Sequence, residues 1–283
     1  MKQTQVKYDT PPQPRQIRLD TTTVCNAECY SCHRYYTKRQ GEMPFKLIEQ
    51  IVEDVSHWNP PLEEIIPVNY GEFFLRKDWF DILNLISESL PRTQIVTPTN
   101  GVALTTEKIL ELVTIPNVKV INFSINAFFD DTYENFTGIT ANQLHKIPEK
   151  IQLIKTERPD MDIRISMVFD PIYQTDLERD YFKSYWSQLG SVWILPAASN
   201  GRNGKQPINP VIVPCRSLFS DFVIGYDGKL SSCCFDAGFN LDLGYYSGDL
   251  KKDWMSKEFI ELRKIHNNHQ RETIPMCREC TFG

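Results

Sequence analysis

Six short runs rich in β-branched residues alternate with amphipathic helical stretches through residues 15–199, and that alternation restricts the fold more than any other feature. The runs are "QIRLDTTTV", "EEIIPVNYG", "TQIVTPTNG", "VKVINFSINA", "DIRISMVFD" and "SVWILPAAS". Between them, "FKLIEQIVEDVSHW", "DWFDILNLISESL", "TTEKILELVT", "NQLHKIPEKIQLIKTE" and "LERDYFKSYWSQLG" space their apolar residues as helices do. Such alternation predicts parallel strands joined by right-handed crossovers. Six units fall short of the eight that close a barrel, so the predicted fold is α/β, a partial (β/α)6 TIM-like barrel over residues 15–199. Ligands of such sheets lie at the carboxyl ends of the strands. Residues 1–14, polar and proline-rich, are predicted to form an arm, and residues 200–214, which continue "ASNGRNGKQPINP", a linker. Residues 215–283 then form a small C-terminal β-hairpin/α-helix domain, with a turn at Asp227-Gly228, a helix in "KKDWMSKEFIELRKIHNNH" and a closing "MCREC".

The bulk numbers exclude several classes. No window approaches the roughly 18 consecutive apolar residues of a membrane span. The opening "MKQTQVKYDTPPQPRQ" lacks the apolar segment of an export signal, so the expected compartment is the cytoplasm, with no membrane partner. Net charge is −5 with no dense Lys/Arg tract, which gives no expectation of a nucleic-acid partner.

Disulfides are then a poor explanation for 8 cysteines, and clustered thiols in a reducing compartment point to metal or redox chemistry. The cysteines fall into two groups, within residues 25–32 and 215–280. Cys25, Cys29 and Cys32 in "VCNAECYSCHR" supply three thiolates from one loop, directly after the first strand. Zinc sites draw paired cysteines from two knuckles and need a fourth ligand, which His33 is badly placed to provide. Three thiolates can instead hold three irons of a [4Fe–4S] cluster and leave the fourth iron open. In the second group, Cys215, Cys233, Cys277 and Cys280 suit either a zinc knuckle or a second cluster.

The C-x3-C-x2-C spacing after the first strand, with the strand-end motifs that follow, resembles the radical S-adenosylmethionine (radical SAM) enzymes over almost the whole chain. Tyr70-Gly71-Glu72 stands where that family has a "GGE" turn that binds the methionine amino group, with Tyr70 in place of the first glycine. Asn100-Gly101 matches a frequent "NG" after the third strand, and Ser124 and Asn126 match polar positions that approach the ribose. The position near the adenine, just before the third cysteine, is Ser31, with the aromatic Tyr30 one place earlier. The second group resembles a twitch domain, a shortened SPASM domain, in which Cys215, Cys233, Cys277 and Cys280 hold one auxiliary [4Fe–4S] cluster. The resemblance therefore implies two [4Fe–4S] clusters and S-adenosylmethionine as cofactors. It also implies an external electron donor of flavodoxin or ferredoxin type.

The activity implied is reductive cleavage of S-adenosylmethionine to a 5′-deoxyadenosyl radical that abstracts hydrogen from a substrate. Relatives of this kind modify ribosomally synthesised peptides by cross-linking, epimerisation or backbone cleavage; others oxidise or epimerise small molecules such as aminosugars. Peptide modification is the expectation here, with a separate leader-binding partner protein, since no such module precedes residue 15. The non-enzyme alternatives, an electron carrier or a zinc scaffold, have no use for the cofactor-binding turns. Cys234 remains outside both ligand sets, either a buried spectator or a hydrogen donor to a substrate radical. Arg202, where the barrel hands over to the extension, is a candidate for the substrate space or a solvated linker residue. Tyr30, Tyr35 and Tyr36 either line the cofactor pocket or pack the barrel mouth, and His266 and His269 are expected to face solvent.

Overall fold

The computed structural model describes residues 6–197, 213–278 and 280–282. The expected strands form at β1 (Gln16–Leu19), β2 (Glu64–Ile66), β3 (Gln94–Thr99), β4 (Val118–Ser124), β5 (Asp162–Phe169) and β6 (Ser191–Pro196). Crossovers carry α1 (Phe45–Ser56), α2 (Trp79–Ser89), α3 (Thr106–Leu112), α4 (Asp130–Thr137), α5 (Ala141–Leu144), α6 (Ile147–Glu157) and α7 (Asp176–Trp186). Helix α1 shows why these segments fold as they do. Its buried residues Ile48, Ile51, Val52 and Val55 make one helical stripe, which packs on the sheet. At α3 the Thr105 hydroxyl caps the first turn by accepting from Lys108 N at 3.3 Å.

Strands β1 to β6 pair in chain order, all parallel, which gives the curved sheet of a partial barrel. One face carries Ile17, Leu19, Ile65, Phe123, Ile165 and Met167 into the main core beneath the helices. On the other, Ile66, Val96 and Val120 form a separate small cluster, and Asn122, Ser124 and Ser166 bring polar groups to the concave side.

The C-terminal hairpin is not a sheet of its own. β7 (Asp221–Ile224) pairs in parallel with β1, Gln16 to Asp221 through Leu19 to Ile224, and β8 (Leu230–Ser231) continues antiparallel. The open edge of β1 offers unpaired backbone groups, and β7 matches Ile17 and Leu19 with Phe222 and Ile224 on the same buried face. Beyond it, the single helix expected from "KKDWMSKEFIELRKIHNNH" is two, α8 (Leu250–Trp254) and α9 (Lys257–Asn267), separated where Ser256 takes an extended conformation. A short α10 (Pro275–Arg278) follows. Among the described residues no helix is long and apolar enough to cross a membrane.

Candidate active site

The carboxyl ends of β1 to β6 surround a cavity of about 310 Å³ that Cys25, Cys29 and Cys32 line. The loop carrying them is held from three sides. Glu28 N and Tyr30 N donate to the carbonyls of Thr137 (2.7 Å) and Phe136 (2.8 Å) at the end of α4, a helix absent from the sequence reading. The Arg34 guanidinium donates to Thr23 O at 3.2 Å and Ala27 O at 2.8 Å, cross-bracing the loop's beginning. Asn100 Nδ2 lies 3.9 Å from Cys25 Sγ and donates to Asn26 Oδ1 at 2.8 Å. Burial pushes all three thiols up, Cys29 to about 12, so an adjacent cation is what would ionise them.

Gly71 and Glu72 form the second wall. A Cβ on Gly71 would stand 2.2 Å from the Thr22 carbonyl oxygen, so only glycine lets the turn lie this close to the end of β1. Glu72 is buried, and three donors converge on its carboxylate: Asn100 N (2.7 Å), Thr99 Oγ1 (2.9 Å) and Phe74 N (3.3 Å). Burial nevertheless raises its pKa, the hydrogen bonds opposing. Asn100, Ser124 and Asn126 complete the polar lining. Asn126 sits at φ 66°, a left-handed conformation in which its Oδ1 accepts from Val168 N at 3.0 Å. Ser31 lines the cavity as well, whereas Tyr30 packs against Tyr173 (ring centroids 4.2 Å) and Phe136 (6.4 Å), outside the lining. Arg202 lies outside the described residues.

A second cavity, about 260 Å³, is lined by Cys215, Cys233, Cys234, Cys277 and Cys280. Cysteines spread over residues 215–280 are thus gathered at one place by the chain around β7, β8 and α10. Burial raises the thiols of Cys215, Cys233 and Cys277, the last to about 12. Among the described residues no three His, Cys, Asp or Glu side chains converge on a single-ion site. His266 corrects an expectation: it does not face solvent but is fully buried on the wall of this cavity, because it shares the inner stripe of α9 with Phe259, Leu262 and Arg263. Its Nδ1 accepts from Cys215 N at 3.2 Å, and burial with nearby Arg271 lowers its pKa to about 4.

The two cavities share the side chains of Leu195, Phe235 and Phe282 as a common wall. His33, directly after Cys32, packs on Phe235 at 5.1 Å, and Phe235 on Phe282 at 4.8 Å. The Tyr70 hydroxyl, from the residue that departs from the "GGE" pattern, donates to the Cys234 carbonyl, as does Asn69 Nδ2 at 3.5 Å. Asp20, at the end of β1, in turn accepts from Tyr70 N at 3.3 Å. Arg34, His266, Phe235 and Phe282 went unrecognised in the sequence; of these, Arg34 stood in the quoted cysteine segment and His266 at helical spacing from Phe259.

The chain belongs to the radical SAM superfamily, whose family model matches residues 19–166, just over half of the sequence. A model described as an iron–sulfur cluster-binding domain matches residues 215–281. Among curated proteins, a probable GTP 3′,8-cyclase from Thermoplasma volcanium is 27% identical over 131 residues, 44% of this chain and 37% of the relative. The match thus spans little more than a third of that relative's length. Among solved structures, BtrN in complex with AdoMet and 2-DOIA superposes with a TM-score of 0.67 at 17% identity, covering 94% of this chain and 92% of that one. Streptococcus suis SuiB bound to the precursor peptide SuiA gives 0.65 at 13% identity, covering 96% and 70%. At these identities the likeness establishes the fold. The protein is a radical SAM enzyme with an iron–sulfur SPASM domain, and membership implies an iron–sulfur cluster and S-adenosylmethionine.

Proposed function

We propose that this enzyme holds one [4Fe–4S] cluster on Cys25, Cys29 and Cys32 and a second on Cys215, Cys233, Cys277 and Cys280, and that it modifies a ribosomally synthesised peptide. The observation that carries the two-cluster reading is the wall of Leu195, Phe235 and Phe282 shared by two cysteine-lined cavities. The residues fit the groups: three half-buried thiols beside a close-packed glycine turn in one cavity, four thiols around about 260 Å³ in the other. With cluster and S-adenosylmethionine bound, the first site supplies one-electron cleavage to methionine and a 5′-deoxyadenosyl radical that takes hydrogen from the substrate.

The chain's own part is positioning. Glu72 presents its carboxylate to the cofactor's amino group, oriented by Asn100 N, Thr99 and Phe74 N. Asn100, Ser124 and Asn126 offer hydrogen bonds for the remaining polar groups, and the backbone at Tyr70 and Gly71 leaves room for them. Tyr30, packed at a tilt against Tyr173, belongs to the rim. Cys234 is a spectator beside Cys233, and Arg202 remains a candidate for substrate contact.

The rim supports a peptide. Val24, Tyr30 and Tyr35 flanking the cysteines in sequence, Ile172 and Tyr173 just after β5, and Leu195 on the cavity wall are exposed apolar residues, a surface suited to a chain laid across it. SuiB, which shares the fold, was solved with a precursor peptide. The small-molecule reading has one observation in its favour, the 92% of BtrN that this chain covers. Deuterium transfer separates them: with perdeuterated candidate peptides and aminosugars, reduced enzyme should place deuterium in 5′-deoxyadenosine from the peptide. Label arriving only from an aminosugar would overturn the peptide assignment. The electron donor proposed is of flavodoxin or ferredoxin type, and a leader-binding partner protein remains part of the peptide reading.

A further inference from the structure

Two buried donors on the wall of the four-cysteine cavity have no acceptor among the described residues: Nε2 of His266 and Nε of Arg271. The protonation of His266 follows from its other nitrogen. A backbone N–H can only donate, so Nδ1, which accepts from Cys215 N at 3.2 Å, carries the lone pair and Nε2 the hydrogen. Arg271 commits its two terminal nitrogens to Val213 O and Phe282 O, each at 2.9 Å, and its Nε–H is left over. Both side chains are nearly inaccessible to water, with His266 at 0% and Arg271 at 3% exposure. Donors buried in this way are costly to leave unpaired, and two on one wall call for an acceptor-rich occupant.

We infer that His266 and Arg271 donate hydrogen bonds to the sulfurs of the auxiliary cluster and set its reduction potential. The inference rests on the reading that Cys215, Cys233, Cys277 and Cys280 hold that cluster. Inorganic sulfide and cysteinyl sulfur are the acceptors such an occupant would present to the wall. Hydrogen bonds to cluster sulfur withdraw charge and favour the reduced state, one of the levers by which a protein tunes such centres. Neither residue is a ligand; both are positioning residues that act through the sulfurs. The pairing also gives α9 a role: it delivers His266 to the cavity while Phe259, Leu262 and Arg263 anchor the same face in the core. The auxiliary centre is thereby easier to reduce than four thiolates alone would make it.

The test is a redox titration followed by electron paramagnetic resonance in the Cys25→Ala/Cys29→Ala/Cys32→Ala background, where the auxiliary centre is observed by itself. His266→Phe keeps a ring of similar size and removes the donor. Its midpoint should fall by about 59 mV, a tenfold change in the one-electron equilibrium constant. His266→Gln, whose amide N–H reaches toward the Nε2 position, should recover much of that shift. Arg271→Lys keeps the charge and loses Nε–H, and its midpoint should fall as well, which decides the matter if His266→Phe does not fold. Midpoints unchanged or raised in these variants would overturn the inference while leaving the cluster intact. A background protein with no iron–sulfide centre would instead overturn the cluster reading, and the inference with it.

Discussion

Gly71→Ala probes the cofactor turn more sharply than removal of any ligand. The added Cβ would lie 2.2 Å from the Thr22 carbonyl oxygen and 2.8 Å from its carbon. Both are backbone atoms of a fully buried residue at the end of β1, so neither can rotate aside. Carbon–oxygen contacts settle near 3.3–3.6 Å, and the turn has to withdraw by about 1 Å. Glu72, the next residue, moves with it, which strains the bond from its N–H to Val24 O (2.8 Å) and that from Asn100 N to its carboxylate (2.7 Å). Overpacking of this kind costs about 1–3 kcal/mol, which corresponds to a melting temperature lower by about 2–10 °C. Displacing a binding group by about 1 Å can cost up to roughly 100-fold, so S-adenosylmethionine affinity should weaken at least about tenfold. Iron and sulfide content should stay as in the wild type, since no thiol is touched. Equilibrium binding to anaerobic protein and a thermal melt supply both readings. An affinity within about twofold of wild type, with an unmoved melt, would show that the turn tolerates a Cβ and that the cradle argument is wrong.

Asp20 should give the fold a pH dependence. Burial lifts its carboxyl to about 7, partly opposed by the hydrogen bond from Tyr70 N. A folded pKa above the unfolded value of about 3.9 means that the stabilisation is full below that value and is lost as pH rises through about 7. Urea midpoints of wild-type protein should therefore fall between pH 5.5 and 7.5, at up to about 1 kcal/mol per unit, and Asp20→Asn should flatten the slope; equal slopes would remove Asp20 as the cause. Tyr70→Phe deletes only the hydroxyl that reaches the Cys234 carbonyl. Amide exchange in residues 232–236 should quicken about three- to tenfold, and identical exchange would show that the bond does not hold that loop.

The βα alternation made β1 to β6 readable, because period-two apolar runs and helical stripes are local properties of the chain. Cys25, Cys29 and Cys32 were readable for the same reason, their spacing being confined to one loop. What escaped depends on contacts distant in sequence. Nothing local in "SDFVIGYDGK" says that β7 docks on the edge of β1, although Phe222 and Ile224 alternate in step with Ile17 and Leu19. Tyr70 read as a departure from a glycine motif, and its partner is the carbonyl of Cys234 across the barrel mouth. His266 was misread although a signal existed: it falls on the stripe of Phe259 and Leu262, where burial was the better expectation. Helix α4 was passed over because "DDTYENFTG" is polar, with Tyr133 and Phe136 its main apolar anchors.

The metal and sulfide content of anaerobically reconstituted protein tests the two-cluster site most directly. Wild-type chain should bind about eight iron and eight sulfide, and Cys25→Ala/Cys29→Ala/Cys32→Ala about four of each. Stoichiometric zinc without sulfide, in either protein, would contradict it.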